Sequence, residues 1–188
     1  MQAARGASLN PSGQDDHPTR RRPLGLFFGV ALVAYLVDVG TKTLAVEELA
    51  GRAPVPVLGD FLQLTLVRNP GAAFSTGTSY TIVLTLVAIT AVGVVLFLSR
   101  RLVDRFWAFG LGCLLGGVLG NLTDRIFRDP GPLRGHVVDF LQLPNWPVFN
   151  VADICINVAA GVIIVQAIRG VSHTGERERG KDDEVAGS

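Results

Sequence analysis

Phe106-Trp-Ala-Phe-Gly-Leu-Gly-Cys-Leu-Leu-Gly-Gly-Val-Leu-Gly-Asn121-Leu-Thr-Asp124-Arg125 is the stretch on which the fold turns. Its 17 residues from Phe106 to Leu122 carry no charge, and five of them are glycine. On a helix, Gly110, Cys113, Gly117, Asn121 and Asp124 recur at intervals of three and four, so small and polar groups share one stripe. Small stripes let membrane helices approach closely, and polar groups at membrane depth avoid lipid by facing a bundle interior. The stretch reads as one helix of a multi-span bundle.

Three further apolar runs complete that bundle, at 24–46, 80–98 and 148–168. The first has 23 residues, charged only at Asp38 and Lys42; at 1.5 Å per residue it reaches roughly 34 Å, enough to cross a bilayer core. The second has 19 residues and no charge. The fourth carries its own polar and small stripe, Asn150, Asp153, Asn157 and Gly161. Charge placement agrees: 14 of the 33 charged residues lie in 1–23 and 170–188, leaving 19 among the 146 residues between. That is about one in eight, where a soluble domain has about one in four. The first run follows Arg20, Arg21 and Arg22 like a signal peptide, but no small-x-small cleavage site follows it, so it is read as an uncleaved anchor.

The chain is expected to divide into a polar, disordered cytoplasmic N-terminal extension (1–23), a four-span membrane domain (24–169, with the third span at 106–122) and a disordered cytoplasmic tail (170–188). Four crossings put both termini on one side. The two ends with Arg169, taken with the 99–105 connection, hold 11 basic residues in 50, against 5 in 58 for the loops 47–79 and 123–147. Lys and Arg resist translocation, so the ends are expected to be cytoplasmic and the long loops outside. In those loops Leu62, Leu64 and Leu66 alternate with Gln63 and Thr65, and Asp-Phe-Leu-Gln-Leu occurs at 60–64 and again at 139–143. Two short strands, in a small β layer on the outer face of an otherwise all-α membrane protein, are predicted.

Composition also excludes chemistries. A net charge of +1 gives no electrostatic case for a nucleic-acid partner. Histidines at 17, 136 and 173 have no metal-site spacing, and Cys113 and Cys155 both lie in apolar runs; neither a metal nor a cofactor is expected. Attention falls on the acidic groups. Asp38 has Lys42 one turn on, which reads as a structural ion pair. Asp124 and Asp153 come to nearly the same depth on facing stripes, without such a partner. Two carboxylates in a low-dielectric site do not both ionise easily, and a water between them can be deprotonated by one while the other protonates a substrate oxygen. Purely structural aspartates are the alternative. A dyad of Lys42 with Ser75 or Ser79 is disfavoured because Asp38 would hold the lysine charged. A small transporter using paired intramembrane aspartates is a further alternative, although no span is broken and no acidic relay crosses the membrane.

These residues resemble a known family, the bacterial lipoprotein signal peptidases, or type II signal peptidases. The resemblance runs over about residues 26–168 in five blocks: Asp38-Val-Gly-Thr-Lys42; Arg68-Asn69-Pro-Gly71-Ala-Ala-Phe74-Ser75; Gly116-Gly117-Val-Leu-Gly120-Asn121-Leu-Thr-Asp124-Arg125; Val137-Val138-Asp139-Phe140; and Phe149-Asn150-Val-Ala152-Asp153. It implies an aspartyl endopeptidase of the bacterial cytoplasmic membrane that cuts a prolipoprotein before its diacylglyceryl-modified cysteine, its partners being that substrate and membrane lipid. Carried over, Asp124 and Asp153 are the expected catalytic dyad. Asn69, Asn121, Arg125 and Asn150 would bind substrate or orient the dyad, and Asp38, Lys42, Gly71, Gly117, Gly120, Phe149 and Ala152 would support it. Asp139, in a strand-like setting, is assigned to the scaffold. After Asp153 the chain reads Ile-Cys-Ile-Asn157, where the family suggests a small hydroxyl residue and then a glycine near 158.

Overall fold

The computed structural model describes residues 22–71 and 79–176. Four helices, α1 (Leu24–Leu49), α2 (Ser79–Ser99), α3 (Arg105–Phe127) and α4 (Val151–Ile168), are joined by three strands, β1 (Val55–Leu58), β2 (Leu62–Asn69) and β3 (Val137–Gln142). All four helices are long and apolar enough to span a bilayer. The spans agree with the sequence reading to within a turn, save that α3 runs five residues beyond Leu122 and so includes Asp124 and Arg125. Residues 1–21 and 177–188, with most of the two polar ends, fall outside the described residues, as do Phe74 and Ser75. Of the expected disordered tail, 170–176 is described: Trp107 donates its indole N–H to the Val171 carbonyl, and Val103 N–H donates to His173.

Exposed apolar side chains cover the outside of the bundle, among them Phe28, Leu32, Val33 and Leu36 on α1, while Asp38, Lys42 and Asn150 are completely buried. This inversion of the soluble pattern is what lipid demands. At the centre stands α3, 56 % of whose most apolar window is buried against 17 % for each of the others. Its glycines explain how. The sequence shows one small stripe, and the structure uses two. Gly110 and Gly117 meet α4, where an added Cβ would lie 2.8 Å from Val162 and 2.7 Å from the Ala152 carbonyl. Gly112, Gly116 and Gly120 meet α1, with Phe27 O, Ala31 O and Asp38 Oδ2 at 2.8, 2.5 and 2.2 Å from the same hypothetical atom. Asp124 continues this second row, four residues beyond Gly120, and so finds its partners towards α1.

The β layer has three strands rather than two, in the order β1-β2-β3, all antiparallel. The repeated pentapeptides meet in it: Gln63 pairs with Gln142 and Leu64 with Leu141. The layer packs on one end of the bundle, where Phe140 joins Ala45 and Leu49 of α1 in a small core. From β3 the chain turns back at once, Leu141 bridging to Phe149, and enters α4 at its N-cap, Asn150.

Gly116→Ala should therefore force α1 off α3 and lower the detergent melting temperature, at a cost of about 1–3 kcal/mol. Gly29→Ala, where an added Cβ meets nothing within 4 Å, should leave it unchanged or raise it. Equal effects from the two substitutions would contradict the packing described.

A candidate carboxylate site at the sheet end of the bundle

An ammonium that burial has stripped of water must find acceptors for its protons. Lys42 is fully enclosed and finds three: Asp38 Oδ2 at 2.7 Å, Asp124 Oδ2 at 3.1 Å and Asn121 Oδ1 at 2.7 Å. Asp38 also accepts the N–H of Ala152 at 2.8 Å, tying α1 to the first turn of α4. Asp124 accepts as well from Arg128 Nε and, at 3.1 Å, from the Val138 N–H of β3. Two carboxylates thus face two cations, and the cluster is neutral as drawn. The expected Asp38–Lys42 pair is present. Lys42 has no capacity left to act as a base for Ser79, and Ser75 lies outside the described residues.

Asn121 passes the network on. Its amide N–H donates to Asp153 Oδ1 at 3.1 Å, while its oxygen, already held by Lys42, accepts from Asn150 at 3.2 Å. Asn150 and Asp153 form a capping box at the start of α4, the Asn150 side chain accepting Asp153 N–H at 3.0 Å and Asp153 Oδ2 accepting Asn150 N–H at 3.1 Å. The same Asn150 donates from Nδ2 to Asp139 Oδ1 at 2.6 Å. Asn69, at the end of β2, donates to Asp139 Oδ2 at 2.8 Å and accepts from Gly71 N–H at 2.8 Å. Gly71 has φ 109°, and an added Cβ would lie 2.6 Å from Leu84; no other residue serves that turn without strain.

The cavity groups a different pair from the one expected: Asp139 and Asp153 share a space of about 610 Å³, with Asn69, Phe149 and Asn157 among its walls. Asp124 does not line that cavity; it is 3 % exposed and its charge is met twice over. The scaffold assignment of Asp139 rested on its strand, and it does lie on β3. One β3 neighbour, Val138, turns its N–H to Asp124, while Asp139 presents its carboxylate to Asn69 and Asn150. Arg125, half-buried, has Asp139, Asp124 and Asp153 as its charged neighbours, and its Nη1 has no hydrogen-bond partner among the described residues. Burial pushes the Asp139 carboxyl up to about 6; the Asn69 hydrogen bond opposes the shift, the Asp153 charge adds to it and the Asn150 bond opposes it again. Among the described residues no group of acidic, histidine or cysteine side chains is arranged to hold a metal.

Comparison with known proteins bears on this site. The family model described as signal peptidase II matches residues 30–169. The lipoprotein signal peptidase of Mycobacterium avium (strain 104) is 50 % identical over 169 residues, 90 % of this chain and 92 % of that protein. That of Mycolicibacterium smegmatis (strain ATCC 700084 / mc(2)155) is 49 % identical over 175 residues, covering 92 % and 74 %. A solved bacterial membrane enzyme, 24 % identical, superposes with a TM-score of 0.69 over 77 % of this chain and 94 % of its own, and shares the fold.

The Asp139 shift has a sign that can be tested. Between about pH 4 and 6 the folded carboxyl keeps a proton that the unfolded chain, with its ordinary value of 3.8, has already released. The folded state then binds more protons, so this residue's contribution to stability falls as pH rises through that window, by at most about 3 kcal/mol. Melting curves from pH 4 to 7.5 should show Asp139→Asn losing this slope relative to the parent. A slope identical in both proteins would place the carboxyl in an ordinary environment.

Proposed function

This chain belongs to the signal peptidase II family, membrane-embedded aspartic endopeptidases that remove signal peptides from prolipoproteins, and we propose that Asp139 and Asp153 are the two carboxylates that perform the cleavage. The reading is carried by one observation: these two carboxylates, bridged by Asn150, line the same open cavity, while Asp124 is neutralised by Lys42 and Arg128 outside it. Family membership removes the carrier alternative.

Asp139, whose carboxyl burial raises to about 6, acts as the acid. Ionised Asp153 takes a proton from a water lying between them, and the resulting hydroxide attacks the scissile carbonyl carbon as Asp139 protonates the carbonyl oxygen. Collapse of the tetrahedral intermediate returns a hydroxyl proton to Asp139 and breaks the C–N bond, the amine leaving with the proton now on Asp153. Arg125 supplies a positive field over the developing charge. Asn69 and Asn150 fix the Asp139 carboxylate, and Asn121 and Asn150 fix that of Asp153. The bond cut is the one before a diacylglyceryl-modified cysteine: the acyl chains stay in lipid while the peptide enters the cavity at the sheet end of the bundle. Both termini are cytoplasmic and the sheet faces outward from the bacterial cytoplasmic membrane, because basic residues concentrate in the ends and the 99–105 connection.

Asp139→Asn and Asp153→Asn should each lower cleavage of a synthetic diacylglyceryl prolipoprotein by roughly 10²- to 10⁴-fold with folding retained. Asp124→Asn should instead lower thermal stability by about 3–5 kcal/mol, the cost of taking one carboxylate from the fully buried Lys42. Turnover retained by Asp139→Asn, with loss of activity at unchanged stability in Asp124→Asn, would restore Asp124 to the pair. Orientation is tested separately. In a chain lacking Cys113 and Cys155, a cysteine replacing Gly131 should react with an impermeant thiol reagent in intact cells, and one replacing Arg101 only after permeabilisation. The reverse labelling would invert the topology.

A further inference from the structure

At the end of the bundle away from the sheet, a cavity of about 660 Å³ opens between the start of α1 and the start of α3, with Arg22 and Arg105 on its rim and Leu26 and Phe106 beneath. Arg22 is tethered there by a 2.9 Å hydrogen bond from Nη1 to the Arg100 carbonyl. The one carboxylate in the wall, Asp104, is already engaged: its Oδ1 accepts from Trp107 N–H at 2.9 Å, capping α3, and from Gln166 at 2.8 Å. The floor does not close. Gly25 and Leu26 also belong to a second, apolar groove of about 530 Å³, which continues along α1 past Gly29 to Val37, with Phe109, Cys113 and Cys155 on its far walls. This groove is the wedge between α1 and α4, which the Asp38 to Ala152 bond ties together next to its Val37 end. Gly25 and Gly29 keep it open, since an added Cβ at either meets nothing within 4 Å. From Gly25 to Val37 the groove runs along 13 residues of α1, about 18 Å of helix against roughly 15 Å of hydrocarbon in one leaflet.

We propose that this composite site holds one anionic phospholipid, its phosphate between Arg22 and Arg105 and one acyl chain in the wedge between α1 and α4. Cationic rim and apolar slot meet at Gly25 and Leu26, in the order of a headgroup and its chain. A zwitterionic lipid carries a compensating cation to a rim already positive, and a soluble phosphate or an acidic peptide leaves the apolar slot unfilled. The site is distinct from the carboxylate cavity, and its occupancy does not depend on how that cavity is read.

The experiment is native mass spectrometry of the full-length protein in detergent, titrated with phosphatidylglycerol, with phosphatidylcholine of identical acyl chains, and with glycerol 3-phosphate. One phosphatidylglycerol should be retained per chain in preference to phosphatidylcholine, and glycerol 3-phosphate should neither bind nor displace it. Arg22→Gln/Arg105→Gln should weaken that binding roughly thirtyfold, about fivefold for each arginine. Gly29→Leu, which fills the slot, should weaken both lipids alike. Both variants should cleave prolipoprotein and melt without added lipid as the parent does, since neither touches the carboxylate network. Equal retention of the two lipids by the parent, undiminished phosphatidylglycerol binding in the double variant, or displacement by glycerol 3-phosphate would each overturn the proposal.

Discussion

One buried ammonium organises this protein. Lys42 is enclosed at the heart of an apolar bundle, where each unmet proton would cost a large share of a domain's stability, and it draws Asp38, Asp124 and Asn121 onto itself from α1 and α3. Asp38 in turn holds the first turn of α4 through Ala152, and Asp124 holds β3 through Val138. Four elements therefore converge on a single charge. The glycines of α3 follow from the same demand: without Gly120, Asp38 has no room beside the helix that carries its neighbour's other partners.

The carboxylates of the cluster divide by what surrounds them. Asp38 and Asp124 face full positive charges and belong to the frame. Asp139 and Asp153 are held by amides, which orient a carboxylate without cancelling its charge, and a cavity of about 610 Å³ opens beside them. Amide donors let a carboxyl pick up or surrender a proton; a buried lysine prevents it. Ion pairs hold Asp38 and Asp124, amides hold the proposed pair, and Asn121 and Asn150 join the two groups.

Much of this was legible in the chain. Four spans, their approximate ends and the β layer follow from apolar run length and from the alternation around Leu62, Leu64 and Leu66, because those patterns answer to solvent alone. The ion pair of Asp38 with Lys42 follows from one helical turn. The cavity that Asp139 shares with Asp153 did not follow, for two physical reasons. Asp124 sits on a helix whose rows of i and i+4 drift around the axis, so a stripe counted on one sheet of paper serves two neighbours: Gly117 meets α4 while Gly116, Gly120 and Asp124 turn to α1. And Asp139 lies on a strand, where sequence reports only which residues share a face; that its face looks into a cavity depends on how β3 docks against α4. The signal that was available is Asn150, whose place as N-cap puts a bidentate amide between the strand and the helix. The third strand was missed because Val55–Leu58 is short and proline-interrupted.

The turn by which β3 runs back into α4 has a consequence for how the enzyme comes into being. Asp139 and Asp153 are only 14 residues apart in the chain, and the link between them is closed by Leu141 and Phe149 before any distant contact is needed. The spacing of the pair is therefore set locally, but its field and its cavity walls are not: Arg125, Asn121 and Asn69 arrive from elements made earlier, and they wait on α4. A ribosome delivering this chain releases the frame first and the last carboxylate near the end. On the proposed pairing, a chain terminated before α4 is a membrane protein that lacks one of the two carboxylates, and the pair is complete only once α4 inserts.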